Sequence, residues 1–181
     1  MERKRKMKRL FALVLAAALT LTLAGCDSIK TGVQNLLGAN TAQEAETENW
    51  AAATTNPIML PEGTDSTAQW ANVVANGTLY GIYNGIWKRN TGYFQVAGDT
   101  LTITACGTAE GPQEYKIALW KKVDGGAQYV DGSTGYFHTD GTNYTYTITG
   151  LDPSVQYRIT VSYDSSKYYL YGMFAAEGIV G

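Results

Sequence analysis

The sequence holds one histidine, His138, and two cysteines, Cys26 and Cys106, in 181 residues. So few nitrogen and sulfur ligands exclude a structural or catalytic zinc site. A nucleophile activated by histidine would have to use His138, and no G-x-S-x-G or comparable setting accompanies it. His138 alternates with Gly135, Phe137 and Thr139 and shares a face with Tyr136, which makes it a surface residue. Charge is also scarce, at 17% of residues. The one long apolar stretch, residues 10–23, falls short of the roughly 20 residues that a membrane-spanning helix needs.

What the chain has in quantity is tyrosine (13), tryptophan (4) and glycine (20). Aromatics favour pleated sheets and glycine favours tight turns, so the composition points to a β-rich fold. At the N-terminus, Arg3, Lys4, Arg5, Lys6, Lys8 and Arg9 precede the apolar stretch, and small residues follow it. That is the layout of a cleaved signal peptide. Its end, Leu23-Ala24-Gly25-Cys26, resembles the lipobox of bacterial lipoproteins. The resemblance implies cleavage before Cys26, diacylglycerol on its thiol, and a membrane anchor facing the extracytoplasmic side. A single chain holds a membrane only marginally, so durable anchoring requires the further acyl chains that the family adds. Asp27 resembles an inner-membrane retention signal in one envelope type and means nothing in the other, so the envelope stays open.

A Cys26–Cys106 disulfide is the ordinary expectation for an exported chain. Lipidation would consume Cys26 and leave Cys106 as a small buried apolar residue at the end of the alternation Leu101, Ile103, Ala105. No basic residue is close in sequence to make it reactive.

The organisation expected is a signal peptide over 1–25, a flexible acidic tether over 26–64 and a folded domain over 65–181. The tether is rich in Ala, Thr, Asn, Gln and Glu, with too little apolar area to offset its ordering entropy. Within it, Ile29, Val33, Leu36 and Leu37 have helical spacing, ended by Gly38. Beyond residue 25 the chain has eight basic and fifteen acidic residues, and such a surface repels phosphates. Nucleic acid is therefore not an expected partner.

Residues 70–74 read as a short helix or an opening strand before the Asn76-Gly77 turn pair. Short β-runs follow over 78–83, 92–96, 101–105, 114–123, 129–130, 135–139, 144–149, 156–163 and 168–174. Gly98-Asp99, Asp124-Gly125, Asp131-Gly132, Asp140-Gly141 and Gly150-Leu151-Asp152-Pro153 punctuate them. The clearest strand alternates Tyr157, Ile159, Val161, Tyr163 with Gln156, Arg158, Thr160, Ser162. One face is buried and the other wet, as in an antiparallel sheet. The expected fold is an all-β antiparallel sandwich, jelly-roll or immunoglobulin-like. Residues 146–153 with 157–161 resemble the E–F corner of fibronectin type III domains. That resemblance implies Leu151 plugging the core and the Tyr157 hydroxyl tying the corner. Gly98-Asp99-Thr100-Leu101-Thr102-Ile103 is more like a hairpin of bacterial jelly-roll modules.

Loop carboxylates such as Asp124, Asp131 and Asp140 could chelate calcium. Asp-Gly is equally a hairpin signal and explains all three without a metal, so no cofactor beyond the lipid is expected. A carboxylate pair for glycoside hydrolysis would need a cleft, which a small sandwich rarely has. Catalytic residues are accordingly not expected, and a small hydrolase ranks last. The aromatics carry more. If Tyr115, Ile117 and Leu119 face inward, Trp120 faces out among lysines; if Tyr168, Leu170 and Phe174 face inward, Tyr169 and Tyr171 face out. Exposed rings on a sheet make platforms on which sugar rings stack, unless they are packed beneath other segments. The expectation is a binding or accessory module for carbohydrate or cell-wall glycan through Trp120, Tyr169 or Tyr171. The alternative is a structural or protein-interaction role in the envelope.

Overall fold

The computed structural model describes residues 49–181. The signal peptide over 1–25, Cys26, the helical spacing over 29–37 and the tether to residue 48 lie outside the described residues. Within them the chain forms two sheets and no helix.

The front sheet contains β1 (Asn49–Trp50), β5 (Lys88–Asn90), β6 (Phe94–Gln95), β8 (Glu114–Val123), β9 (Gly126–Tyr129), β10 (Gly135–His138) and β12 (Gln156–Ser162). The back sheet contains β2 (Ala52–Ala53), β3 (Trp70–Ala75), β4 (Thr78–Ile86), β7 (Leu101–Thr108), β11 (Tyr144–Ile148) and β13 (Leu170–Glu177). Their orders are β1-β10-β8-β12-β5, with β6 on β12 and β9 on β8, and β2-β11-β7-β13-β4-β3. All pairs are antiparallel except β1 with β10.

The pairing is nested. β4 pairs β13, β5 pairs β12, β7 pairs β11 and β8 pairs β10. A long two-armed ribbon rolled on itself gives this pattern, with successive arms alternating between sheets. It is the jelly-roll order, which decides between the two sandwich types left open by the sequence.

Alternation sets the core. Tyr115, Ile117 and Leu119 from β8 meet Tyr157, Ile159 and Val161 from β12, and Leu170 and Phe174 from β13 close over them. The corner between β11 and β12 has the expected parts. Leu151 is buried, and the Asp152 N–H donates to the Tyr157 hydroxyl at 2.9 Å. The Asp-Gly positions are turns, with Gly125, Gly132 and Gly141 at φ of 79, 71 and 81°. Between the sheets, the Tyr83 hydroxyl donates to the Cys106 carbonyl at 2.8 Å and stands 3.2 Å from the Tyr115 hydroxyl.

One open alternative is settled and one expectation changes. Residues 70–74 are strand β3, because Asn76 and Gly77 adopt φ of 50 and 74° and fold it back as a hairpin onto β4. Such a two-residue turn matches the twist of paired strands, which a helix cannot use. The folded region also starts before residue 65. β1 pairs β10, β2 pairs β11, and between them the Ala51 N–H donates to the Tyr136 carbonyl at 2.9 Å. The segment has little apolar area of its own, but it gains order by adding to edges already formed. Residues 54–69 then lead from β2, at one edge of the back sheet, to β3, at the other. The Thr54 N–H donates to the Asn143 carbonyl (2.8 Å), and the Asn84 side chain donates to the Ser66 and Ala68 carbonyls (3.0 and 2.9 Å).

Candidate functional site

The sequence places Trp120, Tyr169 and Tyr171 outward, and each does project from an outer face. They do not form one platform. Trp120 lies on β8 in the front sheet, whereas Tyr169 and Tyr171 belong to the β13 end of the back sheet. Alternation fixes which way a side chain points relative to its strand, but not which sheet the strand joins.

Trp120 is also half-buried rather than open. Its ring meets Tyr129 edge-on at 5.7 Å, and its register partner on β12 is Arg158. The Trp120 Nε1 and Arg158 Nε atoms are both enclosed without a hydrogen-bond partner. Tyr93 sits beside them, with Lys122 Nζ at 5.5 Å and the Arg158 guanidinium carbon at 5.7 Å from its ring. Trp120 is thus a packing residue with an unsatisfied N–H. Trp120→Phe removes that donor while keeping a ring and is expected to cost under about 1 kcal/mol, whereas Trp120→Ala costs about 2–4 kcal/mol. Urea unfolding midpoints measure both; equal, negligible losses would show that the ring is not packed.

At the β13 end the arrangement is open. The register shifts between Leu170 and Tyr171, opposite Gly85, whose φ is 78°. This bulge keeps Leu170 opposite Ile86, and one step further Trp87 and Tyr169 come together. Their rings stack at 4.6 Å between centroids and 16° between planes. Trp87 is held a second way, because its Nε1 donates to the Tyr168 carbonyl at 2.7 Å. The Tyr171 ring leans over Gly85, two residues before Trp87, with its hydroxyl 3.8 Å from where a Cβ would stand. Trp87, Tyr169 and Tyr171 are 42, 42 and 46% exposed. Lys167 Nζ lies 4.8 Å from the Tyr168 ring at the same end. Trp87 is the residue that the sequence pattern did not single out. It lies where β4 leaves the back sheet for β5 in the front one, outside any regular alternation.

The two sheets differ in charge. Every lysine and arginine in a strand, namely Lys88, Arg89, Lys116, Lys121, Lys122 and Arg158, belongs to the front sheet. The back-sheet strands carry no basic residue and one acid, Glu177. The Trp87–Tyr169–Tyr171 cluster therefore borders an almost uncharged face.

The remaining sequence candidates have ordinary surroundings. His138 is exposed on the front sheet and stacks on Trp50 at 4.6 Å. The Asp140 carboxylate accepts from the Thr142 N–H (2.9 Å) and the Tyr144 hydroxyl (2.7 Å), which hold its pKa below the usual value. Asp124 and Asp131 are exposed at their turns. Cys106 is half-buried on the outer side of β7, and desolvation pushes its thiol pKa up, away from reactivity. A hollow of about 450 Å³ beside β2 is lined by Ala53, Thr54, Thr55 and Thr142, none of which titrates near neutrality. No protein-family model matches the chain, and no curated protein matches it.

Proposed function

We propose that this chain is a lipid-anchored extracytoplasmic lipoprotein whose jelly roll is a non-catalytic binding module for carbohydrate, with cell-wall glycan as the natural class of ligand. The observation that carries the binding reading is the exposed Trp87–Tyr169 stack beside Tyr171. Trp87 is fixed by its hydrogen bond and its stacking partner, so little side-chain freedom remains to be lost on binding. Flat rings offer sugar C–H faces an apolar surface on which to stack. The anchor rests on the lipobox Leu23-Ala24-Gly25-Cys26, which puts lipid on Cys26 and the module outside the cytoplasmic membrane.

Both halves have direct tests. The full chain should be retained by one or more neutral polysaccharides in affinity electrophoresis. Trp87→Ala should weaken retention at least about tenfold, or ~1.4 kcal/mol, without moving the melting temperature by more than a few degrees. Retention by no glycan, or retention indifferent to Trp87→Ala, would sink the carbohydrate reading. Cys26→Ser should abolish acylation and partitioning into a detergent phase; unchanged partitioning would remove the anchor.

A further inference from the structure

The back sheet ends in an edge strand unlike the other edges of the molecule. Among the described residues, β1, β2 and β6 have two residues each, β9 has four, and β5 has three and carries Lys88 and Arg89. Short or charged edges resist pairing with other strands. β3 has six residues, Trp70–Ala75, with no charge and no proline, in regular register with β4. From Ser66 to Trp87 the sequence contains no charged residue at all.

The phase of the hairpin determines what this edge offers. Asn76-Gly77 is a two-residue loop, so the flanking pair Ala75·Thr78 exchanges hydrogen bonds, as do Val73·Tyr80 and Ala71·Ile82. The Asn84 N–H donating to the Gln69 carbonyl at 2.9 Å has the same phase. The N–H and C=O groups of Trp70, Asn72 and Val74 therefore point away from β4, off the free edge. Asn72 is exposed beside them, and Val74 is 50% exposed.

We infer that β3 pairs antiparallel with β3 of a second copy of this chain, about a two-fold axis through Asn72. That register places Trp70 opposite the copy's Val74, Asn72 opposite its own counterpart, and Val74 opposite the copy's Trp70. All three outward-directed residues then meet partners in phase, and the back sheet continues through both copies. Each Asn72 amide donates to its own Ala71 carbonyl at 2.9 Å, so the seam rests on the backbone groups. The net acidity of the chain, which would oppose self-association elsewhere, has no charge to act through on this strand. One strand pair is a smaller seam than a standard interface, so the dimer is reversible and concentration-dependent.

The test uses the full chain carrying Cys26→Ser, so that neither lipid nor that thiol contributes. Sedimentation should show monomer passing to dimer as concentration rises. Directly opposed hydrogen-bonded residues have Cα atoms about 5.5 Å apart, within disulfide range, whereas the two Val74 positions would be roughly 15 Å apart. Asn72→Cys should therefore oxidise to a covalent dimer at least tenfold more than Val74→Cys or the parent. Val74→Pro removes one outward N–H and leaves the β4 ladder intact, so it should be monomeric with a little-changed melting temperature. A parent chain that is monomeric at every concentration overturns the proposal, as does Val74→Cys cross-linking as well as Asn72→Cys. A chain that remains monomeric while capturing an extended peptide at β3 assigns the edge to another protein's strand, and equally overturns it.

Discussion

Gly172→Ala is expected to cost about 4 kcal/mol or more, a large share of the roughly 5–15 kcal/mol that holds a domain of this size. Gly172 lies in the middle of β13, between Tyr83 on β4 and Gly107 on β7, with φ at 153°. A methyl group there would overlap the Cys106 carbonyl oxygen and stand 2.8 Å from a Tyr83 ring carbon and 2.9 Å from the Gly107 Cα. Two of those three obstacles are backbone in a central strand, so neither can retreat without breaking the ladder. The backbone angle adds strain of its own, since side chains rarely tolerate it. Gly98→Ala is the control: nothing lies within 4 Å of its added methyl group, and the change should stay within about 0.5 kcal/mol. Urea midpoints at constant m-value would measure both. A Gly172→Ala midpoint equal to that of Gly98→Ala would refute the packing described.

Stability should also fall steeply in alkali, through Tyr83 and Tyr115. Both rings are buried between the sheets, and desolvation pushes both phenol pKa values above 10.0. In the unfolded chain each phenol ionises near pH 10. Below that pH both states hold the proton and the contribution is complete. Above it the unfolded chain sheds protons that the folded chain retains, so stability is lost as pH rises. The slope approaches about 1.4 kcal/mol per pH unit for each buried tyrosine. From pH 10 to 12 the pair thus removes up to about 5 kcal/mol. Tyr83→Phe should be less stable at pH 7, because the Cys106 carbonyl loses that donor, yet lose stability more slowly above pH 10, by up to about 1.4 kcal/mol per pH unit. Unfolding midpoints from pH 7 to 12 would show this. An unchanged alkaline slope in Tyr83→Phe would count against the assignment.

Much of the fold was legible. Residues 114–123 form β8 as the alternation requires, with Tyr115, Ile117 and Leu119 inward and Lys116, Trp120 and Lys122 on the opposite face. The corner at Leu151 and Tyr157 follows its motif, because both the plug and the hydroxyl tie are local in sequence. Residues 49–53 were missed for a physical reason. Two strands of two residues each have no period to read and exist only because β10 and β11 offer edges to them. Trp50, alone in an Ala- and Thr-rich run, was the available signal, and it stacks on His138.

The abundance of glycine beside tyrosine had a second meaning that turns alone did not cover. Gly81 lies under the Phe174 ring, Gly107 under Tyr115, and Gly135 under Tyr146. These glycines are in strands, and each leaves room for a ring from elsewhere in the chain. A sequence shows the glycine and the ring, but not that they meet.

The sequence by itself therefore determined most of the strands, their turns and the face that the longer strands bury, since all of these depend on neighbours a few residues apart. Only the tertiary structure decided the rest. It put every basic strand residue in one sheet, separated Trp120 from Tyr169 and Tyr171, brought Trp87 to the open aromatic cluster and left β3 as a long uncharged edge. Each outcome depends on which strands pair. Pairing is settled between residues far apart in the chain, where rings find their glycines and no local period reports the match.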